Sequence, residues 1–469
     1  MKRLLVLVVA VASLCSLRAQ TPTAGQTVDW EKLRPEILEH YRALVQIDTT
    51  AGRETLAVDY LKKILEGEGI ATKVFALDPA RANLVARLKG NGSKRPLLIL
   101  AHTDVVGVQR EKWPVDPFGA VMKDGYIWGR GSKDDKPVLA ANLMTMLMLK
   151  RLGVPLDRDV IFLAESGEEA DLAGVGINYM VREHFAEIEA EFAMTEGGGA
   201  TIDGGRVTRV NIGTAEKLPA RVQLVATGTA GHGSAPRLDN ALIHLSAAVE
   251  KVGRWEPPMR LNDTTRAYFE RLAAISAPER AAIYKALFDS TAAAGAQRFL
   301  REHSPGEYSM LRTSVVPTML KAGVGANVIP SEAEATLDIR ALPDENVERF
   351  YAEMAKVIAD PAVKVVPLPQ TRPPSPASSL ESEMYRLMER VAKTIYPGAA
   401  VLPSMSPGAS DQAQLRAKGI QSYGIGPAST ASDAINYPAH GDVERLAESS
   451  LYPFVQYVWT VVTEMAARR

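Results

Sequence analysis

The chain has 469 residues, 46 % of them hydrophobic and 23 % charged, enough to bury ordinary cores in two domains without disulfides. A formal net charge of −1 lacks the basic footprint of a nucleic-acid binder. The single cysteine excludes a disulfide framework and leaves metal ligation to histidines and carboxylates.

Met1-Lys2-Arg3 is a basic start, followed by an apolar run from Leu4 to Leu14 and the small-residue stretch Cys15 to Gln20. The run is too short to span a bilayer, which takes about twenty helical residues. The order of charge, apolar run and small residues reads as a secretory leader over residues 1–19, cleaved after Ala19, and so as an exported protein. Its removal takes away Lys2, Arg3, Arg18 and the only cysteine, and lowers the formal charge to −4.

Helical periodicity runs through 29–69 (Leu33, Ile37, Tyr41, Leu44, then Leu56, Tyr60, Ile64). Three short apolar runs follow, each ending in polar residues. They are Pro96–Leu100 before His102, Val160–Leu163 before Glu165, and Phe192–Met194 before Thr195-Glu196. Between the first two, Pro137 to Leu152 reads as a helix, with Pro in its first turn and Gly153 at its exit. Strands alternating with helices predict an α/β domain with a mostly parallel sheet, whose functional residues collect at the carboxyl ends of the strands. Alternation in Ala220–Val225, a helical stretch at 240–252 and strand patterns at 314–320 and 333–339 predict a smaller α+β unit, ferredoxin-like, inserted into that domain. An Ala-rich charged stretch at 260–303 reads as extra helices within it. The expected division is 20–215 with 344–469 for the first unit and 216–343 for the insert. The Met144, Met146 and Met148 group reads as helix packing, and the tract Pro367–Pro376 as a stiff connector back to the first unit.

Seven histidines occur, and three keep informative company. In His102-Thr103-Asp104, strand alternation puts the ring and the carboxylate on one side, so Asp104 is placed to hold the imidazole's second nitrogen. In Gly129-Arg130-Gly131-Ser132-Lys133-Asp134, glycines let the chain turn sharply and present Asp134 just before the helix. A carboxylate there can bridge two cations; by itself the segment also reads as a surface turn. Glu165-Ser166-Gly167-Glu168-Glu169 offers adjacent glutamates pointing apart, one to ligate and one to face substrate, although alone it reads as a solvated acidic turn. Thr195-Glu196 ends a strand beside three glycines, and Tyr437-Pro438-Ala439-His440 lies near the C-terminus.

Together and in this order, these segments resemble the family 20 metallopeptidases of clan MH, which include aminoacylases, carboxypeptidases and desuccinylases. The resemblance spans almost all of the chain after the leader. It implies one zinc held by His102, Asp134 and Glu196 and a second held by Asp134, Glu169 and His440, with Glu168 as general base and Asp104 as the partner of His102. Cobalt or manganese suits the same donors. It further implies that His232, in Ala230-Gly231-His232-Gly233, stabilises the oxyanion, often from a partner subunit, so that a homodimer through the inserted unit is expected if this chain follows that pattern. Asn327 and Arg340 would receive a substrate carboxylate, and Gly408 lies in the glycine-rich substrate loop. The chain departs from the family in having Gly167 where Asp is common before the glutamate pair. It also has Val443 directly before Glu444, where an Asn often stands two residues before the corresponding glutamate. The longer insert and the run Val316–Pro330 look closest to the yeast carboxypeptidase S-like branch. The implied activity is dipeptidase or carboxypeptidase cleavage of a small peptide. N-acyl-amino-acid deacylation is the alternative, and a zinc-retaining binding protein without catalysis is the alternative of a different class.

Overall fold

A computed structural model describes residues 28–169 and 174–468. The expected leader, 1–19, lies outside the described residues. Among the described residues no helix is long and apolar enough to cross a membrane.

The strand Leu97–His102 is buried along its whole length and forms the middle of a ten-stranded sheet. It pairs in parallel with Val160–Glu165 on one side and with Phe192–Thr195 on the other. Strands buried on both faces read as continuous apolar runs, which is why all three were visible as such in the sequence. Gln421–Gly424 extends the parallel centre, and antiparallel Asn83–Leu88 and Thr72–Phe75 close one edge. The sheet is therefore parallel where it carries the polar strand ends. The helix Lys136–Arg151 is buried from Lys136 to Leu149, because it packs between the sheet and the C-terminal helix Glu448–Ala466. Met144, Met146 and Met148 are part of that core.

The second unit is a separate four-stranded face with a fifth short strand. Val222–Thr227 lies between Glu332–Ala341 and Val363–Pro367, and Ser314–Ala322 covers the far side of Glu332–Ala341. Helices Ala241–Arg254 and Val347–Ile358 bury their apolar stripes on it. The succession strand, helix, two strands, helix, strand is ferredoxin-like. Its last helix and strand lie beyond the expected boundary at 343. Phe350, Met354 and Ile358 need a sheet face to cover, and the face that takes them is that of the second sheet, so the elements return to the first unit only after Pro367. The Ala-rich stretch forms Asp263–Ile275, Pro278–Ala286 and Ala293–His303. These helices pack on the strand Ala400–Ser406 of the first sheet around Phe269, Leu272, Leu300, Leu402 and Met405.

Candidate metal centre

Parallel pairing puts His102 opposite Glu165 in register, so the turns leaving the two strands meet at one sheet edge. The turn after Glu165 passes through Gly167 at φ +79°, where a Cβ would lie 2.5 Å from Val175 Cγ2. Asp104, which is buried, organises this turn. Its Oδ1 accepts the backbone N–H of Gly167 at 2.9 Å and of Glu168 at 3.3 Å, and its Oδ2 accepts that of Glu169 at 3.0 Å.

The His102 ring is buried and its Nδ1 donates to the Asp104 main-chain oxygen at 3.0 Å, with Asp104 Oδ1 at 3.6 Å. The expected partner thus acts mainly through its backbone, while its carboxylate is spent on the glutamate turn. Because Nδ1 carries the proton, Nε2 is left with a lone pair aimed at Asp134 Oδ1, 2.9 Å away. Two acceptors at that separation require a proton or a cation between them. Burial disfavours a charged ring, but the Asp104 and Asp134 carboxylates outweigh it and push the His102 pKa well above its ordinary value.

Asp134 faces two ways. Its Oδ2 lies 3.2 Å from His440 Nε2, which in turn is 2.8 Å from Glu169 Oε2. The hydrogen bonds to Asp134 and Glu169 raise His440 to about 10. Asp134, although burial alone would raise it, is held below the carboxylate range by the two histidines. Glu196 leaves the strand Phe192–Thr195 beside Gly197 and Gly198. A Cβ on Gly198 would lie 2.3 Å from the Gly424 carbonyl oxygen, so this carboxylate rests on backbone packed against backbone. His102, Asp134 and Glu196 form one group of ligand atoms within 4.8 Å of one another, and Asp134, Glu169 and His440 form a second. Each is a histidine with carboxylates, the donor set of an open, catalytic zinc site rather than a closed Cys-rich one. The residues fit a pair of divalent ions sharing Asp134.

Glu168 stands beside both groups without belonging to either. Burial and the neighbouring Asp411 push its carboxyl up to about 8, opposed by the guanidinium of Arg372. Arg372 Nη2 donates to Glu168 Oε1 at 2.7 Å, and Nη1 to Asp411 Oδ1 at 3.2 Å.

Three further residues, to which the sequence assigned no role, hold the site. Buried Glu444 accepts from Arg130 Nη1 at 2.7 Å and Gly131 N at 3.2 Å through Oε2, and from Lys133 N at 2.6 Å through Oε1. It ties the turn bearing Asp134 to the segment bearing His440. His440 itself has φ +63°, a left-handed conformation that a non-glycine residue keeps only when its surroundings impose it. Arg445 stacks between Tyr126 and Tyr437, each ring centre 3.8 Å away, while bonding Asp433. Lys133 Nζ donates to the Tyr437 carbonyl at 2.6 Å.

The remaining sequence-derived residues lie on other elements. His232 sits on the short strand Gly231–His232, paired with Val328–Ile329, and its exposed ring bonds Ser234. Gly233 N donates to the Asn327 carbonyl at 2.7 Å, so these two residues are brought together on the second unit. Arg340 is the penultimate residue of the strand Glu332–Ala341 and donates to Asp338 at 2.9 Å. Gly408 donates to Ser406 Oγ at the start of a loop whose Ser410 bonds Glu216.

Residues 98–464 match the sequence profile of peptidase family M20/M25/M40. The chain is 29 % identical over 337 residues to a probable carboxypeptidase S-like 2 of Dictyostelium discoideum, covering 70 % of this chain and 63 %, less than two thirds, of that protein. It is 25 % identical over 454 residues to the N-fatty-acyl-amino acid synthase/hydrolase PM20D1 of Xenopus tropicalis, covering 91 % of this chain and 85 % of that one. In fold it resembles an M20 family metallo-carboxypeptidase of Sulfolobus solfataricus, with a TM-score of 0.67 and 20 % identity over 91 % of this chain and 98 % of that one.

Proposed function

Because the chain belongs to peptidase family M20/M25/M40, we propose that it is a two-zinc hydrolase cleaving a peptide or N-acyl amide bond next to a free carboxylate. The observation that carries the reading is Asp134, with one oxygen facing His102 and the other facing His440, beside a glutamate that belongs to neither group. Zinc held by His102, Asp134 and Glu196 and by Asp134, Glu169 and His440 would supply Lewis acidity to a carbonyl and would acidify water. The chain's own residues do the rest. Asp104 fixes the backbone of the 167–169 turn, which carries Glu169 to the ligand group and sets Glu168 beside it. Glu168 takes the proton of the attacking water and passes it to the departing nitrogen, which must leave as an amine. Arg340, whose planar fork suits a carboxylate, and Asn327 would receive the substrate's acid end, and His232 the oxyanion.

The C-terminal amide of a small peptide is the first substrate class. N-acyl amino acids are the second, favoured by the similarity to an N-fatty-acyl-amino acid hydrolase over nearly the whole chain. The test compares Ala-Leu, N-acetyl-leucine and N-dodecanoyl-leucine, before and after chelation and with zinc restored. The expected outcome is chelator-sensitive hydrolysis of at least one of them. Glu168→Gln should keep two zinc equivalents while turnover falls by about 10²- to 10⁴-fold. Wild-type turnover in that variant would remove Glu168 as the base, and no hydrolysis of any of the three with zinc bound would favour a zinc-retaining binding protein.

A further inference from the structure

The tract Pro367–Pro376 follows the strand that closes the second sheet and leads back into the first unit. It carries Arg372, a buried guanidinium amid prolines. A spacer has no use for such a group, since burying a cation is costly unless it is paired. Its Nη2 donates to Glu168 Oε1 at 2.7 Å and its Nη1 to Asp411 Oδ1 at 3.2 Å. The two carboxylates come from different places: Glu168 from the turn at the end of the central strands, Asp411 from the loop that begins near Gly408.

We infer that Arg372 is a positioning residue for Glu168, orienting its carboxylate from the connector between the two units. This rests on the reading of Glu168 as the base. Asp104 fixes the backbone of the glutamate turn but makes no bond to the Glu168 carboxylate, whose side-chain torsions it leaves open. Arg372 supplies the missing constraint. With Oε1 held by the guanidinium, Oε2 is the oxygen presented to the reacting water. Nη1 on Asp411 fixes the guanidinium plane, so the fork, rather than charge alone, sets the angle. Pro373 and Pro374 stiffen the backbone behind it. Because this segment continues from the second sheet, its path sets where the base points.

The test is a set of full-length, zinc-loaded variants assayed with whichever of Ala-Leu, N-acetyl-leucine and N-dodecanoyl-leucine the wild type cleaves fastest. Arg372→Ala is expected to lower kcat by about 10- to 100-fold, the scale of a misplaced reacting group. KM should stay within about threefold, and two zinc equivalents should remain bound. Arg372→Lys, which supplies charge without the fork, should recover only part of the loss. Added guanidinium should restore turnover to Arg372→Ala but not to Glu168→Gln. The deciding measurement is the double variant: in a Glu168→Gln background, Arg372→Ala should have little further effect on kcat. An equal fold-loss in both backgrounds, or unchanged kcat in Arg372→Ala, overturns the inference. Should Arg372→Ala not fold, Arg372→Gln and Arg372→Lys carry the same comparison. Inactive Glu168→Gln with fully active Arg372 variants sinks this inference alone, whereas active Glu168→Gln sinks the reading of the base.

Discussion

Glu444 holds four positions in the metal centre together with one carboxylate. Burial raises its pKa, and Arg130 together with the Lys133 N–H opposes that rise. Removing one member of a buried ion pair leaves the other charge without compensation, which costs about 3–5 kcal/mol. Glu444→Ala is therefore expected to destabilise the metal-free protein by about that amount, measured by denaturant unfolding. It should also weaken zinc binding, because the turn carrying Asp134 loses the acceptor of its N–H groups. A change below about 1 kcal/mol would mean that the Gly441 carbonyl and the Trp113 ring suffice for Arg130. At this scale the sequence exposed the ligand candidates because each ends an apolar run or sits at a glycine turn. The bonding roles of Glu444 and Arg372 were silent because their partners lie 314 and 204 residues away in the chain.

Among the elements, the chain crosses from the first unit to the second just after the strand Arg206–Glu216, and Lys217 bolts that crossing. Its buried Nζ donates to Ser309 O and Oγ at 3.0 Å and to Ser314 Oγ at 2.9 Å, joining the short helix Pro305–Ser309 to the strand Ser314–Ala322. With no carboxylate in that set of bonds, burial and then nearby Arg340 push the lysine down to about 7. The sign follows from proton binding. Between about 7 and the ordinary lysine value the unfolded chain holds this proton and the folded chain does not, so stability gains from rising pH. Lys217→Met should remove that contribution. The difference in unfolding free energy between wild type and variant should change by up to about 1.4 kcal/mol per pH unit within the window, and a constant difference from pH 7 to 10 would refute it. The helix Val347–Ile358 is amphipathic, and an apolar stripe does not by itself say which sheet it covers. That is why the expected boundary at 343 falls before this helix and the strand Val363–Pro367 that pairs beside it.

Across the whole molecule, the fold gathers Asp134, Glu168, Glu169 and Glu196 at one edge of the first sheet, and burial, followed by repulsion from neighbouring carboxylates, raises Glu168 and Glu196. Cations bound among these carboxylates would relieve that crowding. Ions that bind the folded chain and not the unfolded one stabilise it by about 4 kcal/mol when free metal exceeds Kd a thousandfold. Chelation should therefore lower Tm by several degrees, and zinc should restore it. In Glu169→Gln the recovery should be partial, with one equivalent bound. A Tm indifferent to chelator would mean that the carboxylates find their counter-charge within the protein.

The amino-acid sequence by itself determined the strand-and-helix alternation, the polar ends of the buried strands and the identity of the histidine and carboxylate candidates. These are local properties, written in apolar runs, glycines and residue chemistry. Only the tertiary structure decided that Asp134 stands between two histidines 338 residues apart in the chain, that Asp104 spends its carboxylate on the glutamate turn, and that an arginine from a proline-rich connector reaches the base. Those arrangements follow from which strands pair and which faces pack, and pairing over such separations leaves no period or spacing along the chain.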